Sequence, residues 1–363
     1  MRASISARRL HPGDRSCSLG RALLAVVLGV LVLAATEAGG NDPVPGLRDA
    51  LELLASGDEA GAEQLLVELL QRHPDSWQVA LQLGHLRVRK RRAREALAPL
   101  EQAARLAPRV FETRSALGQA LVLEERLPEA EREFQAALAL RPTDFLSHFN
   151  LGRIYRLQKR YEEALEQLQQ ALEHGTDSPQ LARAHQSLGM VLQVLSRPSE
   201  AIPHLQEYLK LRPDRHDARL PLATLQFDVG QYDGALEAVE LFLKTQPAHP
   251  EALYLRGMLC KIKGRNDQAI ESFRTAVSAR ADYTRARYQL TTVLFEEARY
   301  TEAEPILRRV LETVPEHPNA HYVLSSVLRR LGRDQEAEAE LAIHNRITEE
   351  QRSRGRTAVA GNE

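Results

Sequence analysis

The chain has 363 residues, 43% hydrophobic and 27% charged, which is enough apolar material for a core and excludes a disordered polymer. Lys and Arg total 48 against 49 for Asp and Glu, so a formal net charge of -1 offers no field for a nucleic-acid backbone, and no nucleic-acid partner is expected. Cys17 and Cys260 are the only cysteines, and if the N-terminal segment is removed Cys260 has no intrachain partner, so the fold is not expected to depend on disulfides. Aromatic residues make up 5%, and recurring Ala, Leu, Glu, Arg and Gln are the composition of helices.

The first element is an apolar run at 22–35, ALLAVVLGVLVLAA, preceded by Arg2, Arg8, Arg9, Arg15 and Arg21. That is the layout of an export signal. Fourteen residues at about 1.5 Å each fall short of a hydrocarbon core of roughly 30 Å, which favours cleavage, near Gly39, over a permanent anchor. Residues 1–38 are therefore read as a signal peptide or membrane anchor. The arginines stay on the cytoplasmic side, so the rest of the chain is expected outside the cytoplasm, periplasmic or otherwise extracytoplasmic. A tether to the inner membrane through 22–35 is the alternative.

Downstream, prolines recur at a step of 34: Pro74, Pro108 and Pro142, then Pro213 and Pro247, then Ala281 and Pro315. A first helix beginning three residues after each places Leu83, Leu117, Leu151, Leu188, Leu222, Leu290 and Leu324 at one position. The next position is small: Gly84, Gly118, Gly152, Gly189, Ala223, Gly257, Thr291 and Ser325. Twelve residues on, alanine stands every time, at Ala96, Ala130, Ala164, Ala201, Ala235, Ala269, Ala303 and Ala337. A fixed period of this size implies stacked units, each a pair of helices whose backbones approach where the small residue faces the alanine. Packed residues at helical spacing, as in Phe149, Leu151, Gly152 and Tyr155, where 149–152 and 152–155 are three apart and 151–155 four apart, keep one stripe on one face.

The Leu-Gly pair, the alanine, the large residue four later and the closing proline resemble the tetratricopeptide repeat family, most clearly at Leu151-Gly152, Tyr155, Ala164 and Ala171. The resemblance implies an all-α, right-handed superhelical solenoid of antiparallel helix pairs, with eight repeats over 77–351. Residues 39–76 read as a degenerate capping repeat and 352–363 as a disordered tail. Arg256 departs from the pattern where leucine is expected, and three extra residues fall around His174 to Ser178. Pro203, Pro221 and Pro305 are placed near first turns, with Asp217 and Thr301 as caps.

No GxSxG, phosphate loop or HExxH motif occurs, so the chain is read as non-enzymatic, with no cofactor and no metal. His317 and His321 are four apart, but Pro318 starts a helix between them and no third ligand recurs. His148, His185 and His321 share one repeat position and read as core or half-buried. The basic run from Arg87 to Arg94 falls on a turn and reads as solvated rather than as a site for an acidic partner.

The resemblance implies that the first helices line a concave groove for a peptide or protein partner. The family's carboxylate clamp is not reproduced: Asn150 and Arg183 match two positions, but Ser115, Gln119 and Ser187 occupy others. Tyr254, Tyr288 and Tyr322, with Phe149, occupy one first-helix position, and Phe227 and Phe295 lie two turns further along their helices. Arg153, Arg156 and Arg183 add positive charge. Together with Asn150 these residues form the candidate groove of an envelope scaffold or adaptor. A membrane-tethered assembly factor, or an accessory subunit of an envelope enzyme, are the alternatives.

Overall fold

A computed structural model describes residues 44–360, with side chains through 353. The apolar run and the cleavage point near Gly39 lie outside the described residues, and no described helix is long and apolar enough to cross a membrane. The described residues form eighteen α-helices and one 3₁₀ turn, with no strand among them. They fall into two compact units that divide after Thr176.

In unit 1, α1 (Leu47–Ser56) and α2 (Glu59–Arg72) precede three full pairs. These are α3 (Trp77–Arg89) with α4 (Ala93–Leu106), α5 (Phe111–Leu123) with α6 (Leu127–Leu140), and α7 (Phe145–Leu157) with α8 (Tyr161–His174). Unit 2 begins with α9 (Ser178–Val194), α10 (Pro198–Leu211), α11 (Arg219–Asp228) and α12 (Tyr232–Leu243). It continues through α13 (Pro250–Ile262), α14 (Asn266–Ala279), α15 (Thr284–Glu296) and α16 (Tyr300–Thr313), and ends with α17 (Pro318–Arg330) and α18 (Asp334–Ala360). Each helix packs on the partner of its own pair, and each second helix packs on the first helix of the next pair in its unit. In unit 1 α3 touches α5 and α5 touches α7, and in unit 2 α11, α13, α15 and α17 touch in series. Second helices make no comparable contact with one another. Within each unit the first helices are thus the more closely spaced layer.

The starts of α3, α5, α7, α13, α15 and α17 fall three residues after the step-34 positions, as the sequence predicts. Helix α11 differs, because a 3₁₀ turn at His216–Ala218 precedes it. Pro221 lacks the N–H that would bond the Asp217 carbonyl, so the preceding turn tightens instead. Asp217 is not a cap either: its carboxylate pairs with Arg215 at 2.9 Å. Pro203 and Pro305 are corrected as well. Both sit inside their helices, in the second turn, as does Pro99. Thr301 is within α16, whose N-cap is Arg299. At the other end α18 runs to Ala360, so residues 352–360, expected to be disordered, continue its backbone.

The small residues face chiefly the large residue four beyond the alanine, although at Gly152 a Cβ would also lie 3.2 Å from the Ala164 carbonyl oxygen. A Cβ on Gly257 would lie 2.5 Å from Cε1 of Phe273, and one on Gly118 would lie 3.0 Å from the Phe134 ring, four residues beyond the respective alanine. Ala269 and Ala130 are fully buried and let the helices approach, and the ring then fills the space over the glycine. Both rings are fully buried.

Each turn between the helices of a full pair carries one left-handed residue. Gly230, Gly264 and Gly332 hold it at three turns, but Arg91, Glu125, Lys159, Ser196 and Ala298 hold φ of 55–63° at the others. The left-handed region costs an L-residue about 1–2 kcal/mol. Glycine loses more chain entropy on folding, which returns part of that gain. Ala298 is exposed, and Ala298→Gly is expected to stabilise unit 2 by about 0.5–1 kcal/mol. Thermal denaturation of the single variant checks this, and an unchanged or lowered midpoint would count against the strain.

The residue after each left-handed position is an arginine in all full pairs but one; its carbonyl accepts the first helical N–H, but its side chain accepts no capping hydrogen bond. Arg126 and Arg160 donate instead to Glu129 and Glu163 of the same first turn at 2.7 and 2.8 Å. Arg160 and Arg333 also reach back 29 residues, to Glu131 at 2.9 Å and Glu304 at 2.7 Å. The arginine ladder therefore ties successive second helices together.

Its first rung explains the basic run at 87–94. Arg87, Lys90 and Arg92 converge on Glu63 of α2, at 3.2, 2.9 and 2.8 Å, and Arg89 pairs with Glu59 at 3.1 Å. The expected solvated turn is an electrostatic clasp, whose acidic partner lies in the same chain. The Lys90 hydrogen bond, followed by that of Arg87 and the charge of Arg92, holds the Glu63 carboxyl below the usual carboxylate range against the opposing effect of burial. A depressed folded pKa contributes stability above the unfolded value, about 4.3, that is lost as pH falls through the folded one. The Glu63 side chain is 14% exposed, and Glu63→Gln is expected to loosen α1 and α2 from α3 by about 1–3 kcal/mol near neutral pH. Hydrogen exchange confined to 47–72 would report it, and the difference from the parent should vanish in strong acid.

Candidate functional site

Two recurrent features of the first helices carry chemistry. The first is a polar slot three residues before the leucine position. Its side chain reaches back to a turn carbonyl six residues earlier and across to the second helix, nineteen residues on. Arg114 donates to the Pro108 carbonyl at 3.3 Å and to Glu133 at 2.9 Å. His148 spans the Pro142 carbonyl at 2.8 Å and Gln167 at 2.9 Å, and His321 spans the Pro315 carbonyl at 2.8 Å and Glu340 at 2.5 Å. These histidines fix the turn to the helix pair. His317 has the same kind of duty, since its Nδ1 accepts the Ala320 N–H at 3.1 Å and caps α17. The His317–His321 spacing thus serves the backbone, and no group of three His, Cys, Asp or Glu among the described residues is placed to hold a metal.

The fourth full pair fills the slot differently. His185 of α9 and His204 of α10 meet with Nδ1 atoms 2.9 Å apart and ring centroids at 5.2 Å. Burial lowers both pKa values below the ordinary histidine range.

The second feature is a face built from the residue after the small position together with those three and four further on, one stripe by helical periodicity. On α5 it presents Gln119, Val122 and Leu123, and on α7 Arg153, Arg156 and Leu157. Leu123 and Leu157 are 55% and 52% exposed. In unit 2 the same register gives Met190 and Val194 of α9 and Ile262 of α13, all exposed. Sequence reasoning missed these side chains. Their signal was a repeated apolar residue six after the leucine, outside the core stripe.

The groove residues picked from sequence are distributed unevenly. Phe149 and Asn150 are buried, so they do not offer contact surface; Phe149 stacks on Phe145 at 5.6 Å. Arg153 lies 5.9 Å from the Phe149 ring, and neither it nor Arg156 forms an ion pair among the described residues. Arg183 is exposed and engaged in an interaction of its own.

Tyr254 is half-buried between Phe273 and Tyr283, and Tyr288 lies against His317 at 4.7 Å. Phe227 and Phe295 pack on Tyr232 and Tyr300 across the turn. Tyr322, next to His344, remains 53% exposed. The rings are therefore half core and half surface. On α13 the register position equivalent to Arg156 is Lys261, which Glu296 neutralises at 2.9 Å.

Comparison with known proteins bears on the fold. A tetratricopeptide repeat protein of Cytophaga hutchinsonii, in its C-terminal part, superposes with a TM-score of 0.54 at 14% identity, over 67% of this chain and 99% of that one. YrrB, a TPR protein with an unusual peptide-binding site, is 23% identical over 52% of this chain and 96% of its own, with a TM-score of 0.48. A tetratricopeptide repeat protein of Parabacteroides merdae is 16% identical over 68% of this chain and 97% of its own, with a TM-score of 0.45. No curated protein matches the chain. Residues 109–174 and 144–214 match one tetratricopeptide repeat profile, and 195–259, 262–313 and 294–360 match a second. The matched stretches cover more than half of the 363 residues, so the chain belongs to the tetratricopeptide repeat family, whose members bind peptides and proteins.

Proposed function

We propose that this chain is a non-enzymatic scaffold that holds a peptide or protein partner on the first-helix face of unit 1, and that it works outside the cytoplasm. One observation carries the binding reading: the exposed Leu123 and Leu157 share a face with Arg153 and Arg156, which form no ion pair among the described residues. Apolar side chains kept in water beside unneutralised cations favour a segment with apolar anchors and flanking Asp or Glu. Within unit 2 by itself, Tyr322, with the half-exposed Tyr254, Tyr288, Phe227 and Phe295 and the exposed Arg183, supplies a more aromatic set on the first helices.

Selection of a random peptide library on the full chain tests this. Sequences combining acidic and apolar residues should be enriched. A pool lacking acidic residues, or one that survives equally well on a chain carrying Arg153→Glu and Arg156→Glu, would sink the reading.

The location rests on the arginine-flanked apolar run at 22–35. Its length supports a cleaved signal, and a membrane-tethered form would present the same face. Intact-mass measurement on the native protein is expected to find a chain starting near Gly39. A full-length mass in the membrane fraction would overturn cleavage and favour the tether.

A further inference from the structure

The polar slot is built by the fold and filled by sequence. In three pairs it couples Arg114 with Glu133, His148 with Gln167 and His321 with Glu340, always nineteen residues apart, so the helix register brings these two side chains together whatever their identity. Only at 185 and 204, among these, are both residues imidazoles.

The ring nitrogens there are also placed differently. In His148 and His321 the Nε2 is occupied by the turn carbonyl six residues earlier. Six residues before His185 stands Pro179, already inside α9, which spans 17 residues and so carries its own start past the place where the turn would lie. The Nε2 atoms of His185 and His204 make no hydrogen bond among the described residues, and both rings are half-exposed.

Each ring can therefore keep its proton on Nε2, turning two Nδ1 lone pairs towards one another. Without a cation, one Nδ1 must carry a proton to hydrogen-bond the other. A cation between them removes that requirement, and the tautomeric proton moves to Nε2 with no net loss.

We propose that His185 and His204 form a binding site for a divalent transition-metal ion of the copper or nickel type, held by the two Nδ1 atoms. Metal–imidazole bonds of about 2.0–2.1 Å and a nitrogen separation of 2.9 Å give a ligand–metal–ligand angle of roughly 90°. That is the cis angle of tetragonal Cu(II) or Ni(II), whereas tetrahedral zinc would need the nitrogens about 3.3 Å apart. Glu200 and Glu207 flank His204 on α10 but are held by Arg197 at 2.6 Å and Lys210 at 2.5 Å, so the remaining positions go to water.

The test is titration of the full chain with Cu(II), followed by calorimetry and electron paramagnetic resonance. The parent is expected to bind one Cu(II) with hyperfine coupling from two nitrogens. His204→Gln and His204→Glu recreate pairings that other repeats use, His148 with Gln167 and His321 with Glu340, so both variants should fold. Each is expected to weaken that site at least tenfold. Equal affinity in the parent and in a chain carrying His185→Gln and His204→Gln, or a spectrum with no second nitrogen, would overturn the site.

Discussion

Phe273→Ala is expected to destabilise unit 2 by about 3–5 kcal/mol, the cost of emptying a fully buried aromatic site. The ring lies over Gly257, where a Cβ would approach it to 2.5 Å, so it occupies the space that the missing side chain leaves. The effect of a second substitution should then reverse in sign. In the parent, Gly257→Ala should destabilise, because the methyl group meets the ring and the helices must part. In the Phe273→Ala background the same substitution should stabilise, since it fills part of the void and alanine favours helix over glycine by about 1 kcal/mol. Guanidinium unfolding of the four proteins gives the double-mutant cycle. Additive changes would mean that the ring and the glycine do not share that space.

Charge reversal of Arg153 and Arg156 to Glu is expected to weaken binding of a selected acidic peptide at least 30-fold, about 2 kcal/mol, the usual threshold for a hot spot. Helicity should not change, because neither arginine forms an ion pair among the described residues. Arg160→Glu is the contrasting control. Its guanidinium is held by Glu131 and Glu163, so that change should lower stability and leave peptide affinity within a few-fold. Fluorescence polarisation at two salt concentrations completes the test, as an attraction between exposed charges fades with screening. An affinity that withstands reversal would move the binding surface elsewhere.

The architecture was legible because it is local and periodic. The step of 34 and the Leu, Gly and Ala register define helix pairs without reference to anything distant, and most first helices begin where the prolines place them. What distance decides was harder to read. The facing of Gly257 to Phe273 rather than to Ala269 depends on how side chains lean across two antiparallel helices. The clasp on Glu63 joins residues up to 29 apart, so a basic run looked like a solvated turn.

The candidate site divides in the same way. Arg153 and Arg156 are partly exposed and share a stripe with the exposed Leu157. Phe149 and Asn150 share the groove register yet are buried, which register alone does not reveal. Leu123 and Leu157 escaped notice because apolar residues were taken as core, and only exposure distinguishes them.

The Glu63 clasp bears on the order in which the chain closes. The apolar cluster of Leu47, Leu54, Leu66 and Leu69 is completed by Val79, Leu83 and Leu86 of α3, and the three cations that hold Glu63 arrive only with residues 87–92. A chain emerging N-terminus first therefore carries α1 and α2 as an open, unlatched pair until some twenty further residues are free. From then on each further repeat of unit 1 finds a finished neighbour to dock against.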